Sequence, residues 1–111
     1  MEVYAKNSRV EKTLLSEKEA RREYGDKLGR LVLLRVQQLR ALNNLAEIKT
    51  LPLDFHSLGG DRKGQWSIKV LKNHKMVFIE AMDELVYLPD GSVDLTKITR
   101  VRIIEACVDY H

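Results

Sequence analysis

The chain has 111 residues, 44% of them hydrophobic, and a formal net charge of +3. This length suits one domain with a modest core, and the composition excludes a wholly disordered chain. No apolar run is long enough to span a membrane, and residues 1–20 lack the apolar stretch of a secretory signal. The lone cysteine, Cys107, excludes an internal disulfide framework, and in its apolar run it is typical core filler. We expect a single cytoplasmic domain over residues 1–111 that does not contact membranes.

The charges are distributed unevenly along the chain. Residues 1–81 carry sixteen lysines and arginines against ten acidic residues, whereas residues 82–111 carry three against six. A basic body is typical of proteins that bind a polyanion or an acidic partner, and an ordinary soluble surface explains it equally well.

The first half of the chain has helical spacing. A short alternating segment, "MEVYA", predicts an edge strand, and residues 8–48 then follow the period of helices. The run "SEKE" from Ser16 is a capping box, which marks a helix start. Gly25 predicts a break, with Asp26 capping a second helix that ends near Asn43. The wide apolar face of this second helix is typical of a helix packed across a sheet.

After Pro52 the period changes to that of strands. The run "DFHSL" predicts a strand and "GGDRKG" a turn, and "QWSIKVL" and "KMVFIEA" predict paired strands joined at "KNH". A turn follows at Pro89-Asp90-Gly91 within an irregular segment. The last run, "VRIIEACV", is apolar on both faces, which indicates a central strand leading directly into the terminal "DYH". The fold class is therefore α+β, with helices stacked on one face of a mostly antiparallel sheet.

Single residues with catalytic potential are unremarkable when each is taken alone. No pair among His56, His74 and His111 has the spacing of a helical metal site, and phosphate-binding or dinucleotide motifs are absent, so we expect neither metal nor cofactor. Taken alone, His56 is best interpreted as an inert histidine at a strand edge. The Arg62-Lys63 pair is interpreted as solvated charge in a turn, and Trp66 as a residue that anchors the core.

Together, these residues indicate a chemistry. If the last strand is central, its end brings Asp109, Tyr110 and His111 to one sheet edge, where His56 and the basic turn could join them. Such a set suits RNA cleavage without metal. One imidazole withdraws the proton of a 2′-hydroxyl, another donor protonates the leaving 5′-oxygen, and lysine or arginine offsets charge on the phosphate.

The block "FHSLGGDRKGQWSIKV", followed by a chain-terminal "VDYH", resembles HigB-type toxins of the RelE/ParE superfamily. These are the host-inhibiting halves of bacterial type II toxin–antitoxin modules. The resemblance is clearest over Leu53 to Val77 and Val101 to His111. It implies a RelE-like fold, with two N-terminal helices packed on a small, twisted, mostly antiparallel sheet.

The resemblance also implies a function and a set of partners. The function is that of a ribosome-dependent endoribonuclease, or mRNA interferase, which enters the ribosomal A site, cuts translated mRNA and inhibits translation. Attack by the 2′-hydroxyl would leave a 2′,3′-cyclic phosphate. The implied partners are the mRNA, the ribosome with its ribosomal RNA, and a cognate helix-turn-helix antitoxin. Operator DNA would be bound only through the antitoxin complex.

Matched position by position, the resemblance implies a site. The catalytic residues would be His56, Lys75, Asp109, Tyr110 and His111, and the phosphate-binding residues Arg62 and Lys63. Two positions depart from the family pattern. Gly59 stands where these toxins often have lysine, and Lys75 stands where they have arginine, which grips phosphate with a planar fork.

Three alternatives remain open at the level of sequence. The chain could be a catalytically degenerate toxin kept for its antitoxin and operator complex, or a ParE-like toxin that acts by binding gyrase. A stand-alone RNA-binding domain is a weaker alternative, because such domains interleave exposed aromatic and basic residues and only 6% of this chain is aromatic.

Overall fold

The computed structural model describes residues 1–109. Within them, the helices are α1 (Ser8–Leu15), α2 (Glu17–Tyr24) and α3 (Asp26–Ala41). The strands are β1 (Glu2–Ala5), β2 (His56–Ser57), β3 (Gln65–Leu71), β4 (His74–Glu80) and β5 (Arg100–Asp109). Short 3₁₀ segments span Leu45–Thr50, Gly60–Arg62 and Leu95–Lys97. No helix in this part of the chain has the length and apolar character needed to cross a bilayer.

The strands form one sheet in the order β1-β5-β4-β3-β2. The edge strand β1 runs parallel to β5, and the other neighbours are antiparallel. The predicted α+β class and mostly antiparallel sheet are therefore confirmed. The interior position of β5 and the edge position of β1 also agree with the prediction. The strand predicted in "DFHSL" is shorter than expected, because Asp54 adopts a left-handed backbone conformation with φ of 53° and pairing starts only at His56.

The predicted helical region is divided once more than expected, at Ser16. The Ser16 side chain accepts a hydrogen bond from the backbone N–H of Glu19 at 3.3 Å, so the predicted cap starts α2, and α1 precedes it as a separate helix. Asp26 does not cap α3 as predicted. Gly25 occupies the cap position with φ of 90°, and Asp26 is the first helical residue, where its charge still favours the helix N-terminus.

The helices cover one face of the sheet, and the core lies between them. Side chains from α3, among them Val32, Val36 and Leu39, pack with apolar residues of β3, β4 and β5. Trp66 is 8% exposed and belongs to this core, as predicted. Each fully buried apolar side chain of this size contributes about 1.5–3 kcal/mol relative to its exposed state.

The irregular segment between β4 and β5 contains a small hairpin. Tyr87 and Val93 form an isolated antiparallel bridge around the predicted turn. The turn closes through Gly91, whose φ of 88° requires glycine and whose N–H donates to the carbonyl of Leu88 at 2.9 Å. The turn predicted at Pro89-Asp90-Gly91 is confirmed.

Gly29 allows α2 and α3 to pack closely. A Cβ atom at Gly29 would lie 2.6 Å from the carbonyl carbon of Ala20 and 2.6 Å from the backbone nitrogen of Arg21. Because backbone atoms cannot move aside as the end of a side chain can, the crossing of these helices depends on glycine here.

We predict that Gly29→Ala destabilises the protein by about 1–3 kcal/mol, the usual cost of overpacking. This predicted loss of stability is opposite in sign to the effect of helix propensity, which favours alanine over glycine by about 1 kcal/mol. Urea denaturation measures the effect. Gly59→Ala is the matched control, because a Cβ there meets nothing within 4 Å, and it should stay within about 0.5 kcal/mol of the parent protein. Equal stability of Gly29→Ala and the parent would contradict this packing argument.

Candidate active site

The sheet face opposite the helices, here called the open face, carries the candidate site. Phe55 packs into the core with ring centroids 6.5 Å from Trp66 and 6.4 Å from Phe78. Because side chains alternate along an extended chain, His56 points to the other side. His56 pairs with Ser67 on β3, and directly paired residues share a face.

The register extends this row of side chains across four strands. Ser67 pairs with Val77, and Val77 pairs with Glu105. Val77 is fully buried yet lies outside the main hydrophobic cluster, which agrees with a place on the open face. The next row contains Lys69 and Lys75, which pair directly. Histidine, lysine and glutamate thus share the face that the helices leave uncovered.

Asp54 connects His56 to Lys75. Its carboxylate oxygen Oδ2 accepts a hydrogen bond from Lys75 Nζ at 2.9 Å, and its backbone carbonyl lies 2.8 Å from His56 Nδ1. The other carboxylate oxygen, Oδ1, is 3.5 Å from the same ring nitrogen. Asp54, His56 and Lys75 are called the Asp54 cluster below.

The neighbours of Asp54 lower the pKa of its carboxyl group. The hydrogen bond from Lys75 is the largest cause that lowers the pKa of Asp54, and the charges of Lys75, His56 and Lys69 lower this pKa further. Lys69 and Lys75 are directly opposed like charges, an arrangement that destabilises a strand pair. The Asp54 carboxylate therefore offsets a repulsion built into the sheet.

Arg62 joins the turn before β3 to the open face. Its guanidinium donates to Gln65 Oε1 at 3.0 Å and forms an ion pair with Glu105 on β5. Arg62 thus reaches over β3 and β4. The adjacent Lys63 is exposed. The two predicted phosphate-binding residues therefore differ, since Arg62 has an acidic partner on the sheet and Lys63 extends toward solvent.

Asp109 ends β5, and its side chain lies on the sheet face opposite the Asp54 cluster. It pairs with His74, and the preceding Val108 pairs with Lys75. Because Val108 shares the open face with Lys75, alternation turns Asp109 toward the side of Cys107. Burial, and then the charge of Asp109, raise the pKa of the Cys107 thiol. Cys107 therefore stays protonated and packs against the core, as expected for a structural cysteine.

The structure brings some predicted site residues together. His56 and Lys75 meet at Asp54, and Arg62 lies on the same face. Tyr110 and His111 lie outside the described residues, so their convergence with His56 stays a prediction.

Three further residues of this face were missed: Asp54, Lys69 and Glu105. Two of them had a usable signal in the sequence. Asp54 is two residues before His56 in an alternating run, and Glu105 is an acidic residue inside an apolar strand.

Chemically, this arrangement holds an imidazole and an ammonium group at the same place on an open surface. An imidazole can transfer protons near neutral pH, and an ammonium group can offset charge on a phosphate. The side chain of His56 is 59% exposed, whereas that of Lys75 is 19% exposed. A substrate can therefore reach the imidazole directly, and can reach the ammonium group by competing with Asp54.

Comparisons with known proteins agree with this fold. The structure resembles a YoeB/ParE toxin from Agrobacterium tumefaciens, with a TM-score of 0.56 and 14% sequence identity over the whole of both chains. No family model and no curated protein matches the chain. At this identity the likeness establishes the fold alone, and this fold confirms the one implied by the sequence resemblance.

The Asp54–Lys75 pair predicts a pH dependence of stability. The pKa of Asp54 is lowered in the folded protein, so its ionised carboxylate adds to the free energy of unfolding. This contribution is fully present above the ordinary pKa of aspartate, which is about 4. It declines as the pH falls through the lowered folded pKa. Urea denaturation should therefore show a stability advantage over Asp54→Asn at pH 7 that is lost in acid. An advantage that grows toward low pH would contradict the assigned cause.

Proposed function

We propose that this protein is the toxin of a type II toxin–antitoxin module and that it cleaves mRNA on the ribosome without a metal ion. The observation that carries the proposal is the Asp54 cluster, which holds His56 beside Lys75 on the sheet face left open by the helices. The toxin fold and the HigB-type sequence blocks support the same proposal.

The proposed reaction is an internal transfer of the phosphodiester. The 2′-oxygen forms a bond to phosphorus while the bond from phosphorus to the 5′-oxygen breaks, giving a 2′,3′-cyclic phosphate and a 5′-hydroxyl. His56 and His111 divide the two proton transfers, one removing the 2′-hydroxyl proton and the other protonating the leaving 5′-oxygen. Lys75 offsets the charge that develops on the phosphate.

The remaining proposed residues bind or orient. Arg62 and Lys63 contact flanking phosphates, Tyr110 stacks on or contacts the RNA, and Asp109 orients the terminal imidazole. For Arg62 to bind RNA, a phosphate must compete with Glu105 for the guanidinium. The side chains of Arg62 and Glu105 are 37% and 32% exposed, so a phosphate can approach the guanidinium from solvent.

The proposal carries a set of partners. The toxin acts in the cytoplasm on translated mRNA in the ribosomal A site, and its basic body suits contact with ribosomal RNA. A helix-turn-helix antitoxin neutralises it, and operator DNA is bound through that complex.

Removal of either imidazole tests the proposed site. We predict that His56→Ala and His111→Ala each lower mRNA cleavage on programmed ribosomes by about 10²–10⁴-fold, the usual contribution of a general acid or base. Both variants, and deletion of residues 109–111, should relieve growth arrest while circular dichroism shows a folded protein.

His74→Ala is the matched control for these variants. His74 begins β4 at the β3–β4 turn, with Nδ1 3.3 Å from the carbonyl of Lys72, and we assign it no part in the reaction. Growth arrest that survives both His56→Ala and His111→Ala would disprove the proposed site.

A second candidate function is protein binding without catalysis. The protein would then either inhibit gyrase or be a degenerate toxin that only forms a complex with its antitoxin and operator. The observation that favours it is charge pairing, since Lys75 and Arg62 both have carboxylate partners in this structure. Messenger RNA from induced cells separates the two functions. We predict cuts within translated codons, whereas intact mRNA accompanied by DNA damage would indicate gyrase as the target.

A further inference from the structure

We propose that Asp54 is the positioning residue of this site and acts through two separate groups. Its backbone carbonyl selects the ring nitrogen with which His56 accepts a proton, and its carboxylate holds the Lys75 ammonium until an RNA phosphate replaces it. This inference rests on the proposed function and assigns to His56 the role of general base. The sequence resemblance gives Asp54 no role.

The first route follows from the chemistry of a carbonyl group. A carbonyl oxygen can only accept a hydrogen bond, so the 2.8 Å contact requires that Nδ1 of His56 carries the hydrogen. In the neutral ring, Nε2 then has the lone pair. Because the His56 side chain is 59% exposed, Nε2 is open to a substrate hydroxyl.

The backbone of Asp54 makes this contact possible. Its φ of 53° is left-handed, a conformation that aspartate and asparagine tolerate better than other residues with a side chain. The carbonyl is thereby available to the side chain two residues later. At the same time, the N–H of Lys69 donates to the carbonyl of Leu53 at 2.7 Å, which ties the segment to β3.

The second route is electrostatic. Asp54 precedes β2 and Lys75 lies on β4, so the 2.9 Å contact between Oδ2 and Nζ reaches across β3. The contact places the ammonium group near His56, which shares the same aspartate. Asp54 itself is 52% exposed, so an incoming phosphate can compete with its carboxylate for Lys75.

In the proposed reaction, Nε2 of His56 takes the 2′-hydroxyl proton as the 2′-oxygen bonds to phosphorus. Lys75 passes from the Asp54 carboxylate to the phosphate at the same site. The bond from phosphorus to the 5′-oxygen breaks and that oxygen takes its proton from His111, the other imidazole of the proposal. Asp54 touches no reacting atom in this scheme.

The tautomer of His56 can be measured without RNA. The measurement is nitrogen-15 NMR at alkaline pH, where histidine side chains are neutral. The parent protein should show mainly the Nδ1–H form of His56. Asp54→Asn and Asp54→Gly should show the same form, because asparagine and glycine tolerate the left-handed backbone. Asp54→Ala disfavours that backbone and should reduce the ratio of Nδ1–H to Nε2–H about tenfold. A parent ring that is mainly Nε2–H, or a ratio that Asp54→Ala does not change, would overturn the first route.

Kinetics on programmed ribosomes test the second route. Asp54→Asn and Asp54→Gly both remove the charge that competes with RNA, so KM should fall about threefold. Both also release Lys75 from its place, so kcat should fall about tenfold. A loss of folded protein alone would lower kcat and leave KM unchanged. Asp83→Asn is the matched control, because the Asp83 side chain is 95% exposed, and it should change neither constant.

A KM that stays the same or rises in Asp54→Asn, or an unchanged kcat, would overturn the second route. The two levels of the proposal can fail separately. If the parent protein leaves ribosome-bound mRNA intact, the proposed function fails, while the NMR ratio still decides whether Asp54 sets the tautomer of His56.

Discussion

The stacking of Phe55 against Trp66 and Phe78 is the contact on which the candidate site depends. These three rings lie 6.1–6.5 Å apart and fix the segment before β2 to the core. Because side chains alternate along an extended chain, packing of the partly buried Phe55 ring against the core directs His56 to the open face. Core packing and site geometry are therefore set by neighbouring residues, and a change that loosens Phe55 would also move His56.

The open face is organised by charge compensation. Cross-strand pairing brings Lys69 opposite Lys75, a cost that Asp54 offsets, and Arg62 is similarly matched by Glu105. Most of these contacts are partly solvated, so each adds little to stability. Their effect is instead on geometry, because each carboxylate holds a long cationic side chain in one place above the sheet.

Much of the fold was predictable because its signals are local. The strand "QWSIKVL" coincides with β3, the turn at Gly91 formed as predicted, and the apolar run after Arg100 became an interior strand. The errors arose where backbone geometry outweighed pattern. The left-handed conformation at Asp54 shortened the strand expected in "DFHSL", and Gly25 occupies the N-cap position of α3 that was predicted for Asp26.

The site was predictable only in part, since its residues come from separate segments. His56 and Lys75 were identified from a resemblance, but the residue that joins them was not, because no local pattern indicates that a side chain at position 54 reaches across β3. Asp54 differs from the predicted residues in a further way. Its backbone carbonyl contacts His56, whereas its carboxylate binds Lys75. The carbonyl contact depends on the φ angle of Asp54, and the residue type indicates that angle only indirectly.

The same compensation bears on how such a site can be both stable and reactive. Lys69 and Lys75 would repel each other without a nearby anion, and in the folded chain the Asp54 carboxylate is that anion. Under the proposed function, it occupies the position that a substrate phosphate would take. RNA would then exchange one anion for another at Lys75, and the displaced Asp54 carboxylate, which is 52% exposed, would be solvated by water. Since exchange at a half-exposed carboxylate costs little, binding energy from contacts elsewhere on the substrate can complete it. Under the proposed function, the ion pair that occupies Lys75 in the free protein would hold this ammonium group where a phosphodiester could take it over.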